Sequence, residues 1–336
     1  MRVGTAGWLV AMAAAVLAMF AGPASAQAPV PVRVISFGGG FNLPVWVGQS
    51  RGFFAANGID VKLSYTPDSK ALFADLAAGR QDIAMTAFDN VVAYQEGQGE
   101  VALGDTDFFA FMGSDSGFLS LVTAPDVKRF ADLRGKEVSV DAMTNGFAFA
   151  LREMLAKNGV AESEVVWARA GGTDRRYQAL VEGKHAATML RAPFDLLAMN
   201  KGYNRLATAP EVLGPYMGIA GVARHSWARD NEALIVGYIR GYRAAVAWLY
   251  DRNNREAAEA ILMESVKTMT PALARQSYDL MLDEKTGFFR DVALDPAGVT
   301  TVLALRSKYG EPKKTLSDPS RYVDPRYHEA ASGKRP

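Results

Sequence analysis

The sequence predicts an α/β fold of two lobes, each built on a mainly parallel sheet flanked by helices. Three observations support this prediction. Short apolar runs alternate with helical patterns over residues 32–97, which is typical of right-handed crossover units on a parallel sheet. The same alternation begins again near Lys136. Two extended apolar segments, residues 119–123 and 214–223, separate these sets, and we expect them to cross between the lobes as a hinge.

The individual elements follow from local patterns. Strands are expected at residues 32–37, 58–65 and 82–86 in the first set and at 137–141, 165–168 and 186–190 in the second. Helix N-caps are expected at Asp68, Asp89, Thr144 or Asn145, and Thr173. After residue 223 the pattern is helical, with a stripe over residues 231–251 and two starts marked by Thr270-Pro271 and Asp295-Pro296.

The first 26 residues predict a cleavable secretion signal. Arg2 precedes an apolar run over residues 6–21, and Gly-Pro-Ala-Ser-Ala at residues 22–26 is typical of a cleavage site. A retained membrane anchor is the alternative, but a spanning helix usually has about 20 apolar residues. The chain contains no Cys, which excludes a lipid anchor on an N-terminal Cys. We therefore expect a free protein in the periplasm.

Charge and composition limit the partners and the chemistry. Lys and Arg number 37 against 36 Asp and Glu, and removal of Arg2 with the signal brings the two counts to equality. A near-neutral chain without a long basic run is unsuited to nucleic acid or to an anionic membrane surface. No zinc-binding motif is present, and we expect no metal, no cofactor, a small-molecule ligand and a monomer.

Ligands of open α/β sheets bind beyond the carboxyl ends of strands, where loops lead into helix N-termini. This rule selects four loops, at residues 38–42, 86–90, 142–146 and 191–195. Within them the candidate ligand-binding residues are Gly39, Gly40, Phe41, Asn42, Thr86, Phe88, Asp89, Asn90, Met143, Thr144, Asn145, Gly146, Arg191 and Pro193.

The chemistry of these loops leaves the sign of the ligand's charge open. Arg191 could serve as counter-charge to an anion, whereas Asp89 and Asp141 could receive an amine or a ring N–H. Structural roles are the alternatives: Thr144 and Asp89 could be helix caps, Phe147 could belong to the core, and Arg191 could pair with Asp195. These alternatives also remain open.

Five short segments in a fixed order carry a family resemblance. They are Gln-Ser-Arg-Gly-Phe-Phe at residues 49–54 with Gly-Ile-Asp-Val at 58–61, Leu-Ala-Ala-Gly-Arg-Gln-Asp-Ile-Ala at 76–84, Asp-Leu-Arg-Gly-Lys at 132–136, and Asn-Gly-Val at 158–160. The series resembles the periplasmic solute-binding proteins of ABC importers, in the branch that binds sulfonates, taurine, nitrate and pyrimidine precursors of thiamine.

This resemblance implies a type II periplasmic-binding-protein fold that closes over its ligand at a hinge and delivers it to a membrane permease. It implies a first lobe of residues 27–118 and 222–336 and a second of residues 119–221. It places the ligand at the same four loops and adds Tyr216, near the return crossing, as a candidate. The alternative is an exported α/β enzyme that acts on a small molecule in the interlobe cleft. A dinucleotide site at residues 38–43 is disfavoured because Leu43 stands where that motif needs a small residue.

Overall fold

The computed structural model describes residues 28–104 and 106–333. The predicted secretion signal lies outside this range. In chain order the strands are β1 (Val30–Ser36), β2 (Ile59–Tyr65), β3 (Ile83–Ala87), β4 (Phe108–Gly113), β5 (Ser120–Thr123), β6 (Glu137–Val140), β7 (Val166–Arg169), β8 (Ala187–Leu190), β9 (Asn204–Thr208) and β10 (Ile219–Arg224).

The α-helices are numbered in the same way. They are α1 (Leu43–Ser50), α2 (Ser69–Ala77), α3 (Phe88–Gln95), α4 (Gly146–Lys157), α5 (Thr173–Val181), α6 (Phe194–Met199), α7 (Ala209–Leu213), α8 (His225–Ala228), α9 (Glu232–Tyr250), α10 (Arg255–Ser265), α11 (Pro271–Met281), α12 (Pro296–Tyr309) and α13 (Arg326–Ala331). No helix in the described part of the chain is both long and apolar enough to span a membrane.

Two five-stranded sheets define two lobes. The first sheet has the order β2-β1-β3-β10-β4, in which β10 is antiparallel to β3 and β4. The second has the order β7-β6-β8-β5-β9, in which β5 is antiparallel to β8 and β9. The other pairs are parallel. Each sheet thus receives one antiparallel strand next to its parallel core, and the two-lobed α/β prediction is confirmed.

The chain passes between the sheets twice. It leaves β4 of the first sheet for β5 of the second through residues 114–119, and it returns to β10 through residues 214–218. The return passage falls in the predicted crossing at residues 214–223. The crossing predicted at residues 119–123 is wrong for all but its first residue, because residues 120–123 pair as β5 inside the second sheet and the passage precedes them. The exact lobe boundaries given above stay a prediction.

The helix caps agree with the sequence in most places. Asp68 accepts from Ala71 N at 2.8 Å, and Asn145 accepts from Ala148 N at 2.9 Å. Thr270 and Asp295 cap α11 and α12 as expected. The caps predicted at Asp89 and Thr173 are wrong. Helix α3 begins directly where β3 ends, so Asp89 lies inside its first turn, and Gly172 rather than Thr173 precedes α5.

Helix α12 joins the two lobes in one packed region. It lies against α3 of the first lobe and α4 of the second. Its apolar side chains Val302 and Leu303 belong to the same buried cluster as Phe88 of α3 and Leu151 of α4. The C-terminal part of the chain therefore does more than complete the first lobe, because it also forms part of the contact between the lobes.

Candidate functional site in the interlobe cleft

A small cavity lies between the two lobes. From the first lobe it is lined by Phe37, Phe41, Ala87, Asn90 and Ile219, and from the second by Asp141, Asn145, Gly146, Phe147, Gly172, Thr173, Arg176 and Arg191. Nearly all of these residues follow the carboxyl end of a strand, namely β1, β3, β6, β7 or β8. The cavity therefore has the position at which open α/β sheets bind ligands.

Sequence reasoning found five of these lining residues and missed others. Phe41, Asn90, Asn145, Gly146 and Arg191 were candidates, and all five line the cavity. Asp141 and Phe147 were considered as well, and the structure places both at the cavity wall.

The omitted group comes from the loop and helix that follow β7, together with one residue beyond β1. These residues are Phe37, Gly172, Thr173 and Arg176, and two further lining residues that were not candidates are Ala87 at the end of β3 and Ile219 at the start of β10. The signal for the loop was present in the sequence, because the segment from Gly171 to Thr173 is a glycine-containing strand-to-helix connection like the four that were selected.

Arg191 follows β8 and is almost completely buried, with 1% of its surface exposed. Its Nη2 atom donates to Asp115 Oδ2 at 2.8 Å, and its guanidinium lies 4.1 Å from the centre of the Phe41 ring. Its Nε atom is buried and has no hydrogen-bond partner among residues 28–104 and 106–333. Arg191 therefore still has an N–H group that can donate to a ligand in the cavity, although the Asp115 carboxylate balances the charge of its guanidinium.

The suggested pairing of Arg191 with Asp195 is wrong. Asp195 accepts instead from Ser120 Oγ and from Leu196 N, each at 2.9 Å. Burial raises the pKa of the Asp195 carboxyl above its ordinary value, and these hydrogen bonds oppose that rise. The side chain of Asp195 belongs to the interior of the second lobe and is not part of the cavity wall.

Arg176 on α5 is a second buried guanidinium at the cavity, with 2% of its surface exposed. Its acceptors are neutral: the carbonyl oxygens of Gly171 at 2.6 Å and Met189 at 3.2 Å, and the Thr173 hydroxyl at 3.2 Å. Burial lowers the pKa of Arg176, and the nearby Arg191 cation lowers it further, while acidic neighbours oppose the shift. A buried cation that only neutral groups contact is suited to receive an anionic ligand group.

Three helix N-termini add to this positive character. Helices α3, α4 and α5 begin at Phe88, Gly146 and Thr173, and each start lies at or beside the cavity lining. The free N–H groups of a helix start carry a partial positive charge that favours anions. Together with the two guanidiniums they contribute positive charge to the cavity wall.

Asp141 is the one carboxylate among the lining residues. It follows β6, and its Oδ2 atom accepts from Ser69 Oγ at 2.8 Å and from Asn145 Nδ2 at 3.0 Å. Because Ser69 belongs to the first lobe, this contact also joins the lobes. The other oxygen, Oδ1, is buried and has no hydrogen-bond partner within the described ranges.

Asp89 does not line the cavity, and its carboxylate is already occupied. It is 1% exposed and forms two hydrogen bonds with Arg306 of α12, from Nε to Oδ1 at 2.8 Å and from Nη2 to Oδ2 at 2.5 Å. Arg306 Nη2 also donates to the carbonyl oxygen of Thr144, at 2.6 Å, across the lobe boundary. We call Asp89, Arg306 and Thr144 the interlobe latch.

Several other candidates likewise lie outside the cavity lining. Phe88, Thr86 and Tyr216 are buried, and the Tyr216 hydroxyl has no partner in the part of the chain described. Burial raises the pKa of Tyr216 well above its ordinary value, with Asp89 adding to the rise. Thr144 donates its hydroxyl to Glu100 of the first lobe at 2.9 Å. Thr86, Phe88, Thr144 and Tyr216 thus have structural contacts.

Hydrogen bonds within the glycine loop after β1, at residues 38–42, fix its conformation. Asn42 donates from Nδ2 to the carbonyl oxygens of Phe37 at 2.7 Å and Gly39 at 2.9 Å, which fixes the turn. A Cβ atom on Gly39 would lie 2.3 Å from the Phe41 ring. Gly40 lies against Pro193 of the second lobe, where an added Cβ atom would lie at an ordinary contact distance of 3.4 Å, so the close approach requires a glycine at Gly39 only. Met143, the last candidate, packs partly buried against the apolar core.

The two crossing segments meet at Asp115. Its Oδ1 atom accepts from Gly117 N at 2.8 Å on the same crossing and from Ile219 N at 3.3 Å, where the return crossing enters β10. A Cβ atom on Gly218 would lie 2.2 Å from Gly117 N, so the crossings approach as closely as backbones can. Since Asp115 also binds Arg191, one carboxylate contacts both the hinge and the cavity.

Among residues 28–104 and 106–333, no group of three or more His, Cys, Asp or Glu side chains is arranged to hold a metal ion.

Comparisons with solved structures place this architecture among known folds. The periplasmic nitrate-binding protein NrtA from Synechocystis PCC 6803 has a TM-score of 0.74 at 14% identity, over 91% of this chain and 89% of that one. The alkanesulfonate-binding protein SsuA from Xanthomonas axonopodis pv. citri, bound to MOPS, has a TM-score of 0.71 at 14% identity, over 89% and 99%. The desulfurization enzyme DSZB has a TM-score of 0.61 at 10% identity, over 90% and 99%.

These likenesses identify the type II periplasmic-binding-protein fold. No curated protein sequence matches the chain. The model of a family described as NMT1/THI5 like matches residues 42–256, which is more than half of the chain. The chain belongs to the NMT1/THI5-like family.

Proposed function

We propose that this protein is the solute-binding component of an ABC importer, which captures a small organic molecule between its lobes and performs no chemistry on it. The observation that carries the proposal is the construction of the cavity from loops of both sheets. A ligand in such a site makes its full set of contacts only when the lobes are closed, so binding and closure are coupled.

Contacts remote from the cavity fit this closing motion. Besides the interlobe latch, Glu153 of the second lobe accepts from Lys308 Nζ at 2.6 Å and from the Tyr309 hydroxyl at 2.7 Å. Glu100 of the first lobe pairs with Arg169 of the second at 2.9 Å. These polar contacts surround the cleft and can exchange for water when it opens.

Location and partner follow from the same proposal. The N-terminal pattern at residues 1–26 supports export, and a nitrate-binding and an alkanesulfonate-binding protein share the fold, the former named as periplasmic. We therefore place the protein in the periplasm, as a monomer that presents its closed form to a membrane permease.

The electrostatics of the cavity support a ligand with an acidic group. Arg176 and Arg191 lie on its wall, and three helix starts contribute further positive charge. The charge of a buried guanidinium favours a carboxylate or sulfonate. Arg176 is the stronger anchor because no carboxylate contacts it directly, whereas Asp115 already contacts Arg191.

A ligand screen tests the function. Purified protein is heated with a library of small organic acids, amines and nitrogen heterocycles, since a ligand at about 100 times its Kd adds ~2.7 kcal/mol of stability. Hits are followed by small-angle scattering, where a receptor contracts on binding, and by mass spectrometry of the recovered ligand. A hit that returns chemically unchanged supports the receptor. A hit that is converted to product supports the enzyme alternative, and a library without hits contradicts the proposal.

The acid-binding role of Arg176 has a matched control in its neighbour. Arg176→Gln removes the buried cation, whereas Arg175→Gln removes an exposed one on the same helix. We expect the first variant to weaken binding of an acidic hit by more than tenfold and the second to leave it within about twofold. Equal effects of the two variants would show that Arg176 is not the anchor.

A further inference from the structure

We infer that Tyr242, which does not line the cavity, positions Arg191 for the ligand through a buried chain of hydrogen bonds. This inference rests on the proposed function, because it concerns how the same cleft holds one of its two guanidiniums. The chain runs from the Tyr242 hydroxyl on α9 through Ser114 to Asp115, which binds the guanidinium. It begins in the first lobe, passes through the crossing that follows β4, and ends in the second lobe beyond β8.

The four side chains of this chain are all buried. The hydroxyl oxygens of Tyr242 and Ser114 are 2.7 Å apart, and Ser114 Oγ lies 3.2 Å from Asp115 Oδ2. Arg191 Nη2 donates to that same carboxylate oxygen at 2.8 Å. Because no water competes for these hydrogen bonds, each group polarises the next and restricts its motion. A change at Tyr242 can therefore reach the guanidinium although the two side chains do not contact each other directly through a hydrogen bond.

The direction of the hydrogen bonds follows from the number of protons. Asp115 forms an ion pair with Arg191 and can only accept, so the single proton of the Ser114 hydroxyl points at the carboxylate. That proton is then unavailable to Tyr242, which must be the donor to Ser114 Oγ. Burial raises the pKa of the Tyr242 hydroxyl above its ordinary value, so this hydroxyl keeps its proton. Tyr242 thus orients the serine that donates to the carboxylate.

The other contacts of Arg191 leave the direction of its N–H groups to Asp115. The rings of Phe41 and Phe118 lie 4.1 and 5.4 Å from the central carbon of the guanidinium. Contact with a ring face restrains the distance between the two groups without fixing where each N–H points. The hydrogen bond to Asp115 is the directional contact of this guanidinium within the described ranges, and Nε has no partner there. The orientation of the Nε–H therefore depends on a carboxylate that stays in place.

Asp115 is held at its two oxygens by different kinds of donor. Backbone N–H groups of Gly117 and Ile219 bind Oδ1, at 2.8 and 3.3 Å, and they remain whatever side chains surround them. Oδ2, the oxygen that binds the guanidinium, receives its other hydrogen bond from the Ser114 hydroxyl. Because Tyr242 orients that hydroxyl, loss of the Tyr242 hydroxyl should loosen the Oδ2 side of the carboxylate and leave the Oδ1 side intact.

The test compares two buried tyrosines that lie one turn apart on α9. Tyr242→Phe removes the hydroxyl that begins the chain, whereas Tyr238→Phe removes a hydroxyl that has no hydrogen-bond partner in the described part of the protein. Each variant keeps its ring. The first readout is hydrogen exchange of the Arg191 Nε–H in the protein without ligand, followed by NMR with isotope-labelled arginine. Exchange is expressed relative to the Nε–H of Arg176, which is equally buried, because a general loss of stability would accelerate both.

We expect Tyr242→Phe to raise the ratio of the two exchange rates about fivefold, the factor that one hydrogen bond typically contributes, and Tyr238→Phe to leave it unchanged. Ser114→Ala should match Tyr242→Phe, and the double variant of these two should add nothing further, because both act through one chain. An unchanged ratio in Tyr242→Phe, or the same rise in both tyrosine variants, overturns the inference.

The second readout is calorimetric affinity for two simple acids, methanesulfonate and benzoate. For an acid that binds the wild type, Tyr242→Phe should weaken binding about fivefold and Tyr238→Phe should leave it unchanged. Faster exchange without weaker binding overturns the inference, because the orientation of Arg191 would then not matter to the ligand, and it leaves the receptor function intact. If neither acid binds, the exchange ratio alone decides the inference, and the library screen decides the proposed function separately.

Discussion

Removal of the arginine in the interlobe latch should destabilise the protein strongly. Arg306 is 0% exposed and its partner Asp89 is 1% exposed, so the variant Arg306→Met leaves a carboxylate buried without its cation. Breaking a buried ion pair in this way typically costs about 3–5 kcal/mol. At roughly 2 °C per kcal/mol for a chain of this size, the thermal midpoint should fall by about 6–10 °C.

The assay is chemical and thermal unfolding of a small variant set. The control is Arg80→Met, which breaks a pair with Asp75 at 2.7 Å in which the arginine is 61% exposed, and we expect it to cost less than about 1 kcal/mol. The double variant Asp89→Asn with Arg306→Met removes both charges and should be less destabilised than the sum of the two single variants. The reasoning is refuted if Arg306→Met is as mild as the control, or if the single effects simply add.

Three further outcomes are expected. Gly146→Ala would place a Cβ atom 2.4 Å from Asp89 Cβ in the closed form, so titration calorimetry should show weaker ligand binding while the thermal midpoint without ligand is retained. Asn145→Ala removes the cap of α4 and should cost about 1 kcal/mol in urea unfolding, with Asn145→Ser recovering most of it. Burial raises the pKa of Glu96, but hydrogen bonds from a lysine and a tyrosine outweigh it and the net pKa is lowered. Its contribution to stability should therefore be complete above the unfolded-state pKa and be lost as the pH falls through the folded-state pKa, and Glu96→Gln should flatten the acid limb of stability against pH.

Much of the fold could be predicted because its signals are local. Alternating apolar runs, and caps such as Asp68 and Thr270, depend on residues only a few positions apart. Strands β4 and β9 were not assigned as strands beforehand. Strand β4 lies in a stretch without a helical period, and the pairing partner of each lies about 80 or more residues away.

The site could be predicted only as a set of loops. The carboxyl-end rule found Asn145 and Arg191, because it needs nothing more than strand ends. The rule could not tell that Asp141 lines the cavity and that Asp89 does not. The cation that pairs with Asp89 is Arg306, which lies 217 positions further along the chain. Arg176 was missed since its neighbours are exposed charges, and only the tertiary structure shows that this one side chain turns inward.

The position of Asp115 limits which substitutions can change the ligand selectivity of such a receptor. Because this carboxylate holds the backbone of both crossings and also the guanidinium of Arg191, any substitution there alters intrinsic affinity and the open-to-closed equilibrium at once. New selectivity is more accessible at positions such as Asn90 and Phe147, which line the cavity without holding the crossings. Substitution at Asp115 is therefore constrained by two roles, whereas substitution at the cavity wall can change ligand selectivity alone.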